Sequence, residues 1–370
     1  MLTKFDEWTC HQTVETFDHP LTSDRAWTEK IWMNFHDRAG KVVLATGFGV
    51  YPNRNVMDGY VCVNLDNARQ HNLRLSRELR PRIDDLSVGP LSYDVQDAYR
   101  SIRLTIAEND RPVRGELEFV GRFQPVEEEH QFMRRHGRVL VDTARYSQLG
   151  RARGWLEVAG ERIELDESTT YAQRDHSWGI RMGVGDPETG VQETDIAIFR
   201  GMLILWTTFQ FSDWGLALYY IEGADGSVQR LTGHVTHALD ESASLIPVVG
   251  LEHDFQYHPR SARMSSGRMV IHLADGSTRT LEMSEMTTMY LRGGGYVGYK
   301  DFFHGKWMGP DWQDGESWDL TEAGKRDEVH GLDDTVCEVS CNGEKGYGII
   351  ENMILPPFPR YGFGMPVRQQ

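Results

Sequence analysis

Period-two alternation, broken by short turn signals, constrains this chain more than any other feature. Ile31 to His36 reads IWMNFH, Asp37-Arg38-Ala39-Gly40 supplies a turn, and Lys41 to Tyr51 returns as KVVLATGFGVY. Trp155 to Leu165 repeats the pattern in miniature: WLEV, then Ala159-Gly160-Glu161, then RIEL. Met202 to Ile221 holds two runs around Ser212-Asp213-Trp214-Gly215. Met269 to Ser284 turns at Asp275-Gly276, and Val336 to Ile354 turns at Asn342-Gly343. Alternation puts successive side chains on opposite faces of a strand, and Asp-Gly or Asn-Gly between two such runs marks a tight hairpin. The strand–helix–strand rhythm of a parallel sheet is missing. The pattern therefore predicts an all-β protein of antiparallel barrels or sandwiches. Asn64 to Arg80 joins it as strand, because Leu73-Arg74-Leu75-Ser76 alternates. One short helix is expected at Val126 to His136, where acids come first, bases last and Gly137 follows.

A chain of 370 residues is long enough for two such units. Their boundary is expected between Glu127 and Arg181, giving an N-terminal unit at 1–170 and a C-terminal unit at 171–370. No Pro/Ser-rich linker separates them, so close packing is expected. The 37 glycines and an aromatic content of 11% suit tight turns and ring-lined interiors. Net charge is 39 − 55 = −16. A field of that sign repels phosphate backbones and argues against nucleic-acid binding. Cys10, Cys62, Cys337 and Cys341 are too few for a disulfide scaffold of this length. No run approaches the roughly 20 apolar residues of a membrane span. Met1 to Cys10 has no apolar core of a secretory leader, so a cytoplasmic location is expected.

The densest chemistry lies in Tyr171 to Arg181, YAQRDHSWGIR. On a strand, Arg174, His176 and Trp178 share one face, and Asp175 and Ser177 the other. An imidazole moves protons near neutral pH, and a neighbouring indole excludes water and stabilises a cation. A buried Arg-Asp-His knot tying two sheets together would use the same residues.

Arg174-Asp175-His176-Ser177-Trp178-Gly179 resembles the Asp-His-x-Trp-Gly signature of the carotenoid 1,2-hydratase (hydroxyneurosporene synthase) and AttH-like superfamily, including its bacterial domains of unknown function. The flanks resemble it too, at Trp27-Thr28-Glu29, Gly47-Phe48-Gly49, Gly89-Pro90-Leu91, Tyr146-Ser147-Gln148 and Gly154 to Val158. The resemblance implies two lipocalin-like (calycin) β-domains with an apolar cavity near their junction. It implies enzymes that add water to isoprenoid double bonds, or that isomerise or close rings in natural products. It places protonation on His176 and cation stabilisation on Trp178, with Asp175 orienting a partner. Arg174 and Arg181 would hold a carboxylate or phenolate. The family's Tyr and Asp downstream of the motif have no counterpart at Met202 to Thr207, and Tyr299-Lys300-Asp301 supplies that spacing only later.

Further substrate-binding candidates are Tyr171, Trp206 and Phe209 as cavity wall. Tyr51, Asn55 and Asp58 belong to the polar loop YPNRNVMDGY, which Asx-turn chemistry explains equally well. His234 and His237 point to opposite faces of a strand and are poorly spaced for a metal. Arg292-Gly293-Gly294-Gly295 lacks the strand-to-helix setting of a nucleotide loop, and no GxSxG elbow is present. The expectation is a cofactor- and metal-independent acid/base enzyme, a hydratase, dehydratase, isomerase or related lyase. Its substrate would be a hydrophobic terpenoid, steroid, polyketide or aromatic catabolite. The alternative is a non-catalytic carrier of a hydrophobic ligand. A homodimer is left open.

Overall fold

A computed structural model describes residues 1–7, 9–186, 190 and 200–364. The first thirteen strands are β1 (Trp27–Asp37), β2 (Val42–Tyr51), β3 (Val56–Leu65), β4 (Arg69–Glu78), β5 (Ser87–Val88), β6 (Leu91–Asp97), β7 (Ser101–Ile106), β8 (Val113–Gly121), β9 (Val126–Glu127), β10 (Gln131–Arg135), β11 (Arg138–Val158), β12 (Glu161–Leu165) and β13 (Thr170–Ile180). Then come β14 (Met202–Gln210), β15 (Trp214–Gly223), β16 (Val228–His237), β17 (Ile246–Tyr257), β18 (Met264–Leu273), β19 (Thr278–Tyr290), β20 (Trp312–Asp319), β21 (Asp333–Cys341) and β22 (Glu344–Leu355). The fold is all-β, as the alternation predicts.

The strands form two bodies. One is a curled sheet in the order β20-β4-β3-β2-β1-β13-β11-β8-β7-β6-β5, with β9, β10 and β12 also paired to β11. The other is a closed barrel, β14 to β19 followed by β21 and β22. The motif strand β13 lies between β1 and β11, so its hydrogen bonds belong to the curled sheet. Between β19 and β21 the chain leaves the barrel, adds β20 to β4, and returns. That excursion carries Tyr296 and His304 onto the curled sheet.

β1 is buried on both faces, because each face has its own apolar partner. Ile31, Met33 and Phe35 point into the concave core with Leu44, Phe48, Leu104 and Phe119. Trp32 points the other way, with Val43, Ala45, Tyr60 and Cys62, against Trp206, Met289, Val336 and Ile349 of the barrel wall. The barrel interior is filled by its own cluster, which includes Phe209, Leu218, Phe255, Met269 and Ile350.

The hairpin tips fall where turn chemistry places them. Asn342-Gly343 adopts φ of 52° and 85°, the left-handed pair that a two-residue turn needs. The helix expected at Val126 to His136 is not formed: β9 and β10 occupy the segment and pair with β11. Val126, Phe132 and Met133 give no helical apolar stripe to bury, and a helix of that length is marginal without one. The long β11 offers a ladder instead, and His136-Gly137, at φ of 47° and 78°, turns the chain back onto it. Among the described residues no helix is long and apolar enough to cross a membrane.

Candidate active site

Strict pairing fixes the direction of the motif side chains. β13 runs without a register shift against both β1 and β11. His176 is therefore flanked by Ile31 on one side and Tyr146 on the other, and Arg174 by Met33 and Gln148. All of these face the concave side. A cavity of about 720 Å³ opens there, and its lining is mostly apolar: Ile31, Phe48, Val50, Ile83, Leu86, Val95 and Ile102 among others. Phe5 and Phe17 of the N-terminal segment close part of its mouth. The polar groups concentrate on one wall, at Glu29, Tyr146, Arg174 and His176, with Tyr93 beside them.

These groups form a directed chain. Glu29 Oε1 lies 2.8 Å from His176 Nε2. A carboxylate accepts, so Nε2 carries the hydrogen and Nδ1 is left as an acceptor. Tyr146 Oη, 3.3 Å from Nδ1, donates to it. The same hydroxyl accepts from Arg174 Nη1 at 3.1 Å. Gln148 Oε1 then anchors the guanidinium through Nε at 3.1 Å and Nη2 at 2.7 Å.

Arg174 is only 2% exposed, yet among the described residues no carboxylate lies within ion-pairing distance of it. Its neighbours are neutral: Gln148, Tyr146 and the Phe119 ring, 5.4 Å from the guanidinium carbon. Burying a cation without a counter-charge is costly, and an anionic oxygen placed beside it would offset that cost. Burial raises Tyr146 above the usual phenol range, while the Arg174 charge and hydrogen bond pull it back. Burial likewise pushes Tyr93 up to about 12.

Trp178 stands beside the chain at the rim. Its ring centroid is 5.5 Å from that of His176 and 6.4 Å from that of Tyr146, and 39% of the residue is exposed. Asp175 faces the opposite side of the sheet, where its carboxylate lies 3.4 Å from Arg145 Nε. Burial raises its pKa, against the pull of Arg145. Arg181 also lies outside the cavity.

The remaining candidates are scattered. Tyr171 packs between the Arg151 guanidinium and Tyr347 at the far end of β13. Trp206 meets Trp32 edge-on at 5.2 Å and donates to Glu128 at 2.9 Å, in the wall between the two bodies. Phe209 is barrel core. Tyr51 donates to Asp58 at 3.2 Å, both buried behind the sheet. Asn55 shapes the β2–β3 turn at φ 56° and accepts from the Arg80 amide. Tyr299 packs on Trp318, and Asp301 is a surface partner of Lys306. The cavity is lined by residues 3 to 176 alone, so it lies inside the curled sheet rather than near the junction that the resemblance implied.

Reasoning from the motif missed the roles of Glu29, Tyr146 and Gln148. Each sits in a segment that shares the resemblance, Trp27-Thr28-Glu29 or Tyr146-Ser147-Gln148. Only strand pairing shows that these segments flank β13. Among the described residues no group of three His, Cys, Asp or Glu side chains is placed to hold a metal ion.

A family of unknown function, DUF8625, matches residues 2–364. No curated protein matches the sequence. Solved structures similar to this one include an AttH-like protein from Nitrosomonas europaea, at 11% identity over 89% of this chain and 92% of that one, TM-score 0.52. CghA, solved with Sch210972, is 10% identical over 90% of this chain and 89% of that one, TM-score 0.51. Kievitone hydratase from Nectria haematococca is 12% identical over 93% of each chain, TM-score 0.48. At these identities the likeness to the first two is one of fold.

Proposed function

The chain belongs to the DUF8625 family, and from its site we propose that it is a cofactor-independent acid/base enzyme acting on a hydrophobic small molecule that carries an anionic or acidic oxygen. The carrying observation is the chain Glu29–His176–Tyr146–Arg174 on one wall of an otherwise apolar cavity. The apolar lining binds a terpenoid, polyketide or aromatic skeleton by excluding water. Arg174 meets the substrate's oxygen. Tyr146 delivers or takes the proton at the reacting atom, and His176 relays it while Glu29 holds the imidazole tautomer and stabilises its charged form. Trp178 shields the pair and stabilises positive charge nearby. This chemistry suits addition or elimination of water, or double-bond isomerisation. The resemblance to the carotenoid hydratase and AttH-like superfamily supports it, as does CghA, a protein of like fold solved with a small molecule.

Untargeted mass spectrometry tests the proposal. Wild-type protein incubated with a metabolite extract should convert at least one hydrophobic compound to a product of equal mass or of mass changed by one water. Neither His176→Ala nor Tyr146→Phe should do so at a comparable rate. Equal conversion by all three overturns it.

A carrier reading draws on one observation: both His176 nitrogens are already hydrogen-bonded within the protein. It expects ligand to be recovered unchanged from the wild type after prolonged incubation.

A further inference from the structure

The alternation that turns Glu29 and Ile31 into the large cavity turns Thr28 and Lys30 out of its back. Behind the sheet, Thr28, Lys30 and Tyr51 meet Arg181 and the 295–304 loop around a separate cavity of about 290 Å³. This lies at the small end of ligand-site sizes. Its wall is otherwise Met182, Val184, Tyr296, Val297 and Phe303.

The polar groups here are incompletely used. Thr28 is 1% exposed, and its Oγ1 is buried with no hydrogen-bond partner among the described residues. Lys30 is 6% exposed, and among the described residues its Nζ has one hydrogen-bonding partner, His304 Nδ1 at 2.7 Å. His304 Nε2 donates to the Gly294 carbonyl at 2.8 Å, so Nδ1 is the acceptor. The remaining side of the amine lies over the Tyr296 ring, 4.0 Å from its centroid. Among the described residues Arg181 has no carboxylate within ion-pairing distance, and its guanidinium makes one hydrogen bond, to Ser177 Oγ, which is long at 3.4 Å. Nearby carboxylates are committed elsewhere. Asp58 accepts from Tyr51 and from the Gly305 amide, Asp175 pairs with Arg145, and Glu351 hydrogen-bonds to Asp334. Burial and the Arg181 charge lower Lys30 to about 7, a state that a bound anion would reverse.

We propose that this second cavity binds a small organic carboxylate, its charge held between Lys30 and Arg181 and its oxygen reached by the Thr28 hydroxyl. A guanidinium without a counter-charge, an amine that an anion would hold in its charged form and an orphaned hydroxyl call for an anion with acceptor oxygens. The aromatic and aliphatic wall calls for a carbon body behind it, which inorganic phosphate lacks. The site is independent of the acid/base proposal, because it uses the opposite face of β1.

The test is calorimetric titration of the full chain with 4-bromobenzoate, its methyl ester and inorganic phosphate, together with a crystal soak read by bromine anomalous scattering. The acid should bind with bromine density in this cavity against its apolar wall at Val297 and Phe303, while the ester and phosphate bind at least tenfold more weakly. Measured in an Arg174→Gln background, which removes the anion partner of the large cavity, Arg181→Gln should weaken the acid on the order of tenfold, and Lys30→Met more. Arg181 is half-exposed, so its variant stands even if Lys30→Met does not fold. No bromine in the cavity behind the sheet, binding unchanged by Arg181→Gln in that background, or phosphate binding as tightly as the acid would each overturn the assignment.

Discussion

Two histidine–glutamate pairs in this protein use the same atoms for different ends. In the curled sheet, His176 Nε2 meets Glu29 at 2.8 Å; in the barrel, His253 Nε2 meets Glu222 at 2.7 Å. The barrel pair is enclosed: the His253 and Glu222 side chains are 1% and 4% exposed. His253 Nδ1 contacts Tyr361 Oη at 2.6 Å, and Glu222 also accepts from Tyr220 and Arg360. Among the described residues, both His253 ring nitrogens and the Glu222 carboxylate are thus taken up by protein partners. The sheet pair is 23% and 53% exposed, adjoins a cavity, and continues into Tyr146 and an arginine without counter-charge. The difference follows from topology. A closed eight-stranded barrel fills its interior with side chains, whereas an open curled sheet leaves part of its concave face uncovered. Chemistry at a His–Glu pair thus depends on what the sheet leaves empty beside it.

The sharpest way to break this comparison is to remove each imidazole in turn. His176→Ala should lower turnover of an identified substrate by about 10²–10⁴-fold, the range of a lost acid/base group. It should hold its melting temperature to within a few degrees. His253→Ala should leave kcat of the folded protein near wild type. Equal losses of kcat in both would place the chemistry elsewhere.

Stability should reverse the order. Removing one partner of an enclosed pair strands the other, at a cost of about 3 kcal/mol. Glu222→Ala should therefore lower unfolding free energy by that amount in denaturant titrations, and Glu29→Ala by well under 1 kcal/mol. Acid should act in the same direction. Burial raises Glu222, but hydrogen bonds from Tyr220 and His253 outweigh it and hold it below the usual range. Its contribution is thus present above pH 4.5 and lost as pH falls. Burial lowers His253, so the unfolded chain binds the extra proton below about pH 6.5, and stability falls there too. Loss of stability from pH 7 to pH 3 that is the same in wild type, Glu222→Gln and His253→Ala would contradict both.

The unevenness of what the sequence discloses has the same origin. Hairpins were legible at Asn342-Gly343 and Asp275-Gly276 because turn and alternation are local. The Val126–His136 segment misled because its end charges mimic a helix, while a distant edge, β11, decides its state. In the site, His176 and Arg174 were legible as one face of a strand. Glu29 and Tyr146 were not, because they reach His176 only through pairing across 147 and 30 residues. Tyr51 and Asp58, although polar and close to the motif's sheet, belong to its back.

A third pair, of two carboxyl groups, sharpens the contrast further. Asp334 and Glu351 share a hydrogen bond between the two bodies; burial raises Glu351 to about 7 and Asp334 well above its usual range. From about pH 4.5 to 7 the folded protein therefore binds more protons than the unfolded chain, so this pair makes stability fall as pH rises through that window. Glu351→Gln should reduce the fall by about 1–2 kcal/mol, read as the change in unfolding free energy between pH 5 and pH 8. An unchanged slope would mean that Arg145 already neutralises the pair.

The smallest expected effect concerns Trp178, and it tests whether the rim of the sheet site takes part in the chemistry. The indole is 39% exposed and touches His176 and Tyr146 through ring edges, not hydrogen bonds. Trp178→Phe keeps an aromatic face but loses area and quadrupole strength, worth about 0.5–1 kcal/mol for a cation at a partly wet site. The variant should lose only about two- to fivefold in kcat, with KM nearly unchanged because the residue does not line the cavity. If the loss falls on KM instead, the indole is a wall for the substrate. If Trp178→Leu costs no more than Trp178→Phe, the ring acts by excluding water from the imidazole and not by stabilising charge.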